Sequence, residues 1–220
     1  MNILKKFLIL DILLLISGVA FASCPQFYPN GKTIQPKGAV ELCNSFFVTQ
    51  YDDDNKRALF SSELLQPSGH DLSRKNSFHA DKRLKDPVKP AVYAGTQKDK
   101  GHLVPSDDST SPEEMFDTYL MTNMTPQDPK LNRGQWKKLE HLTRKMAIAG
   151  KKPINVVTGA VYEGDEKIVN LVPIPAGYYK IIYLSDGSSK AFYADNNETS
   201  GVHSTTIDKI NIKTGLKFPK

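Results

Sequence analysis

Two runs rich in apolar residues, Phe46-Phe47-Val48-Thr49-Gln50-Tyr51 and residues 57–65, flank the polar cluster Asp52-Asp53-Asp54-Asn55. β-branched and aromatic runs bounded by an Asp/Asn cluster read as strands joined by a turn, so an opening hairpin is predicted. The acidic cluster lacks the glycine and distal glutamate of an EF-hand and reads as a solvated turn. Further along, a helical period takes over. Trp136, Leu139, Thr143, Met146 and Ala147 share one face of a helix predicted over residues 133–149. Asn132 stands where an N-cap is expected and Gly150 where a terminator is expected, with basic residues in the last turns.

The weaker signals fill in the remainder. Residues 66–98, rich in charge, Pro and Ser, are expected to be mostly loop, and a segment this long is often functional. His102-Leu103-Val104 is expected to end a short strand, residues 113–120 to form a helical turn, and residues 119–122 to be extended. Residues 153–162 and 178–184 are β-rich, with 190–193 pairing with the latter, and 204–218 read as a closing helix or turn. These elements sum to an α+β fold with a mainly antiparallel sheet.

The first 22 residues set themselves apart. Lys5 and Lys6 precede an apolar run from Phe7 to Ile16 broken only by Asp11, and Ala20-Phe21-Ala22 is a small-x-small cleavage pattern. This is the pattern of a secretory signal peptide, which leaves residues 23–220 as a single domain. Secretion or a periplasmic location follows, with no membrane partner after cleavage. In such a compartment the only two cysteines, Cys24 and Cys43, are expected to form a disulfide. A net charge of +5 suits a polyanionic partner without specifying one.

The chemistry concentrates in three motifs. Asp99-Lys100-Gly101-His102 puts an imidazole that titrates near neutral pH beside a glycine that allows close approach to a ligand. His102 is the candidate general base. Lys100 is a candidate phosphate contact, and Asp99 would hold the turn or a metal-bound water. Asn123, in Thr122-Asn123-Met124-Thr125-Pro126-Gln127, would orient His102 or the metal waters. Asn132 offers a neutral oxygen to a hard ion such as Mg²⁺, with Mn²⁺ or another divalent ion also fitting. Glu140 lies about 80° round an ideal helix from Asn132 and would reach the ion's water shell. Arg133, with other Lys and Arg residues from 82 to 145, would line a groove that tracks a nucleic-acid backbone.

Taken together, Asp99-Lys100-Gly101-His102, the Asn123 stretch and Leu131-Asn132 through Trp136 to Leu139-Glu140 resemble the DNA/RNA non-specific endonuclease family. These are the sugar-non-specific nucleases of the ββα-metal class. The opening hairpin and the end Ile207-Asp208-Lys209-Ile210 with Thr214-Gly215-Leu216 are similar as well. The resemblance implies a ββα-metal motif with flanking helices and metal-dependent hydrolysis of DNA and RNA that leaves 5′-phosphates. It implies His102 as general base, Asn132 as the direct Mg²⁺ ligand, and Glu140 and Asn123 in support. Arg74, in the Arg-x-x-x-Phe-x-x-Asp stretch ending at Asp81, resembles the arginine that stabilises the transition state. Lys100 departs from the family's usual arginine and loses its bidentate fork. Two other readings are a nucleic-acid-binding or uptake protein without catalysis, and a phosphodiesterase acting on small nucleotides.

Overall fold

The computed structural model describes residues 23–68, 72–73, 76–169 and 171–220; the expected leader 1–22 and Arg74 lie outside the described residues. The chain opens with a three-stranded meander, β1 (Val40–Cys43), β2 (Phe47–Asp52) and β3 (Arg57–Leu65). A long connection leads to β4 (Asp99–His102), helix α1 (Pro112–Thr118) and β5 (Met124–Gln127). The short helix α2 (Pro129–Leu131), a π-helical turn (Asn132–Trp136) and helix α3 (Lys137–Gly150) follow in one continuous rod. The strands β6 (Ile154–Val161), β7 (Lys167–Ile168), β8 (Val172–Pro173), β9 (Gly177–Tyr183), β10 (Ser189–Asp195) and β11 (His203–Thr205) precede the final helix α4 (Ile207–Thr214).

Seven of these strands form one antiparallel sheet in the order β1-β2-β3-β6-β9-β10-β11. It carries core on both faces, so its central strands β6 and β9 are buried almost throughout. On one face Tyr51, Ala58, Ala160 and Tyr178 pack against Trp136 and Leu139. On the other, Val48, Phe60, Val157 and Ile181 pack against Ile207, Ile210 and the N-terminal arm. Gln50 pairs with Phe60 but Tyr51 with Ala58, so Leu59 is an extra residue in β3. That bulge reverses the in-out alternation, which is why Ala58 and Phe60 lie on opposite faces although two residues apart.

The predicted disulfide forms between Cys24 and Cys43. It ties the N-terminal arm to the end of β1, and Ser62 Oγ then donates to the Phe27 carbonyl at 2.6 Å. Closing a loop of this length contributes about 3 kcal/mol in the chain-entropy account. Among the described residues, no helix is long and apolar enough to cross a membrane.

Three expectations change. Residues 121–123 form a 3-10 turn, not an extended piece. The helix begins at Pro129 because Asp128, not Asn132, caps it, accepting from the amides of Lys130 and Leu131. At the far end Gly150 is the last helical residue, and Lys151 takes the left-handed conformation at φ 51°.

Candidate active site

Strands β4 and β5 pair antiparallel, with Gly101 opposite Thr125 and His102 opposite Met124. The glycine is a packing requirement. A Cβ at Gly101 would lie 2.3 Å from Gln127 Oε1 and 2.6 Å from Gln127 Cβ. Two of the motifs are therefore complementary surfaces of one hairpin-like pair. His102 is held at the end of β4 by aromatic rings: Tyr119 meets it edge-on at 5.1 Å between centroids and Phe78 lies at 5.8 Å.

Asn123 is fully buried, and its amide is consumed by the fold. Its Oδ1 accepts from the Val104 amide at 3.0 Å and the Ser61 hydroxyl at 3.2 Å. Its Nδ2 donates to the carbonyls of Val104 and Thr118, both at 2.9 Å. The Leu103 amide also donates to the Asn123 carbonyl at 3.0 Å. Asn123 thus fixes the backbone that leaves His102, and its side chain does not line the cavity described below.

Because Asp128 does the capping, the Asn132 side chain is left for another task. Asn132 is helical (φ −55°, ψ −53°), and Gly134 two residues on is not (φ −106°, ψ −107°). Single π turns of this kind recur at functional sites. Asn132 Nδ2 donates to Asp99 Oδ2 at 2.8 Å. Arg133 reaches the same carboxylate through Nε at 2.8 Å and a terminal nitrogen at 2.6 Å. With its NH₂ end turned onto Asp99, Asn132 has its oxygen available to a cation. Asp99 therefore links β4 to the helix start.

His102, Ser106, Asn132, Arg133, Lys137 and Glu140 line, with Pro105, one cavity of about 150 Å³. The structure thus gathers His102, Asn132, Glu140 and Arg133 in one place. Asp99 stands behind Asn132. Lys100 is held elsewhere, its ammonium 5.0 Å from the Phe78 ring and 5.5 Å from that of Tyr93. Arg144, read from the sequence as a groove cation, is instead buried against Asp108 at 2.6 Å. Asp81 is buried and held low by Arg83, with Thr122 donating to it at 2.8 Å.

Beneath the cavity lies a charged layer that sequence reading did not foresee. Glu63 on β3 and Lys180 on β9 are both fully buried on the sheet face that carries α3. Burial, reinforced by Asp108, pushes the Glu63 carboxyl well above its ordinary range. Burial also pushes the Glu140 carboxyl up to about 7, with Lys180 opposing. The one sequence signal was a lysine inside the otherwise apolar run Gly177-Tyr178-Tyr179-Lys180-Ile181-Ile182-Tyr183.

The donor set fits a hard divalent ion. An amide oxygen, a carboxylate and room for water suit an ion that retains most of its waters. Among the described residues, one group of three His, Cys, Asp or Glu side chains has metal-binding spacing, Cys24, Glu41 and Cys43, and its two sulfurs are spent in the disulfide.

A paired β4 and β5 followed by a helix, with an imidazole at the strand end and an amide on the helix start, define a ββα-metal site. The chain belongs to the DNA/RNA non-specific endonuclease family, whose model matches residues 25–220. It is 35% identical over 166 residues to a nuclease of Nostoc sp., covering 72% of this chain and 60% of the relative. It is 30% identical over 151 residues to a nuclease of Serratia marcescens, covering 60% and 56%. The chain therefore spans little more than half the length of these relatives. Its fold matches a chain in the crystal structure of the EndoG/EndoGI complex with a TM-score of 0.71, at 21% identity, covering 81% of this chain and 84% of that one.

Proposed function

We propose that this protein is an exported, divalent-metal-dependent endonuclease that hydrolyses phosphodiester bonds of DNA and RNA with little sequence preference. The observation that carries the reading is the convergence of His102, Asn132 and Glu140 on one cavity in a chain of this family. His102, Asn132 and Glu140 come from a strand end, a π turn and a helix, and no folding requirement brings them together. Residues 23–220 act as one domain, released from the leader 1–22 into an oxidising compartment, secreted or periplasmic, where the disulfide is stable.

His102 takes the proton from the attacking water, a role typically worth roughly 10²–10⁴ in rate. Its ring is already oriented by Tyr119 and Phe78, so little reorganisation accompanies the transfer. Asn132 holds Mg²⁺ through its amide oxygen, and Glu140 accepts hydrogen bonds from the waters around it. When bound, the ion neutralises the scissile phosphate and the charge that develops on the leaving oxygen. Lys137 and Arg133 border the same cavity and meet the phosphate diester. Arg74 is the remaining cation assigned to the transition state, carried over from the family motif. Asn123 acts through the backbone beside His102, and Lys100 through the aromatic cluster that packs on it. Contacts confined to phosphate and sugar carry no base information, which accounts for the lack of sequence preference.

The test is a gel assay of supercoiled plasmid and total RNA with protein lacking residues 1–22, in Mg²⁺ and in EDTA, beside His102→Ala. Loss of both polymers that requires Mg²⁺ and disappears in His102→Ala is the expected result. Polymers left intact by the wild-type protein would refute the reading.

A further inference from the structure

Lys180 is the least expected charge in the molecule. It is fully buried in the middle of β9, directly opposite Thr158 of β6, and its ammonium donates to the Thr158 hydroxyl. The same nitrogen sits 5.8 Å from the centroid of the Trp136 ring. A buried ammonium is costly unless the charges around it compensate. Those charges come from three elements: Glu63 on β3, Glu140 and Arg144 on α3, and Asp107 and Asp108 in the turn after β4. Arg144 and Asp108 neutralise each other at 2.6 Å, with Asp107 at 3.7 Å from the same guanidinium. That leaves one cation, Lys180, facing two carboxyls, Glu63 and Glu140.

The two carboxyls are not equivalent. Glu63 is fully buried and neither of its oxygens has a hydrogen-bond partner among the described residues. A carboxylate without partners in that position would be far costlier than a neutral acid, so Glu63 keeps its proton. Glu140 opens onto the cavity. Lys180 is thereby left to serve Glu140. Through Trp136 it also touches the last residue of the π turn that presents Asn132.

We propose that Lys180 is a positioning residue of the active site, a buried counter-charge that holds Glu140 as a carboxylate and braces the Trp136 end of the π turn. This rests on the cavity being the active site, but its test needs neither metal nor cleavage. Lys180→Met keeps the length of the side chain and removes the charge; Lys180→Arg keeps the charge. In metal-free protein, the carbon-13 titration of the Glu140 carboxyl should move up by about one pH unit or more in Lys180→Met, and return towards wild type in Lys180→Arg. Thermal unfolding of Lys180→Met, Glu140→Gln and the double variant supplies a second readout. The double variant should be more stable than Lys180→Met alone, since removing both charges leaves nothing uncompensated. In an active enzyme, the acid limb of the pH–rate profile should shift upward in Lys180→Met with KM for DNA unchanged. An unshifted Glu140 titration, or a double variant no more stable than Lys180→Met, folded or not, overturns the proposal. A wild-type protein that cuts no nucleic acid would instead refute the nuclease reading and leave both metal-free measurements to stand on their own.

Discussion

Replacing Asp99 with Ala separates the positioning of the metal ligand from the stability of the fold. Asp99 accepts one hydrogen bond from Asn132 and two from Arg133, at 2.6–2.8 Å. Only the first bears on the ion, because it selects which end of the Asn132 amide faces the cavity. Without it the amide turns freely, and outer-shell losses of this kind cost roughly 10–100-fold in metal affinity. The expected change in stability is small. The Arg133 side chain is 73% exposed, and ion pairs in such positions contribute under about 1 kcal/mol. Calorimetric titration of Mg²⁺ or Mn²⁺ into Asp99→Ala should therefore show a dissociation constant raised at least tenfold, with a thermal midpoint within a few degrees of wild type. Asp99→Asn, which keeps an acceptor but not the charge, should fall between the two. A dissociation constant within twofold of wild type in Asp99→Ala would show that Asn132 is not oriented this way or does not bind the ion.

Three further outcomes follow from the same structure. In the metal-free protein Glu140 holds its proton up to about pH 7, against an ordinary 4.5 in the unfolded chain. The folded state therefore binds the extra proton in that window, and stability falls as pH rises from about 4.5 to about 7, by on the order of 2 kcal/mol once partial exposure is allowed for. Urea unfolding in EDTA across this range should show the slope, and Glu140→Gln should flatten it. Removing the disulfide with Cys24→Ser and Cys43→Ser should cost about 3 kcal/mol in urea unfolding while leaving cleavage per folded molecule intact, since the bridge joins the arm to β1, away from the cavity. Gly101→Ala should destabilise by about 1–3 kcal/mol through overpacking against Gln127 and should lower kcat by displacing His102; thermal melting and steady-state kinetics check both.

Much of this fold was legible where one local rule dominated. The strand over residues 57–65 matches β3, and β6, β9 and β10 fall where β-rich runs were read, because apolar strands at the centre of a sheet leave little else for those residues to do. The strand β1 was not read as such, since Val40-Glu41-Leu42-Cys43 is too short to show a period. The single-residue bulge at Leu59 has no sequence mark, although it decides which face of the sheet every later residue of β2 and earlier residue of β3 occupies. His102, Asn132 and Glu140 were recognisable from their motifs, whereas Glu63 and Lys180 were not, because their meaning depends on strand neighbours far apart in sequence. Asn123 was visible as a motif residue, but its hydrogen bonds to Val104 and Thr118 give it a structural task.

The helix start shows most clearly why local reading reached the right residues by an incomplete route. An asparagine ahead of an amphipathic stretch signals an N-cap, and a capping side chain is committed to backbone amides. Had Asn132 been the cap, its oxygen would have been spent there and unavailable to an ion. The chain avoids this by starting the helix earlier, on Asp128 and Pro129. It then inserts the π turn at Gly134, which also changes the angular relation between residues 132 and 140 from that of an ideal helix. Gly134 has open space around the position of a Cβ, so packing does not demand glycine there. What the position does demand is a backbone far from helical values, at φ −106° and ψ −107°. Glycine makes that conformation accessible. The free amide of Asn132, its anchor on Asp99 and the shared cavity with Glu140 are thus one consequence of where this helix begins and how it is broken.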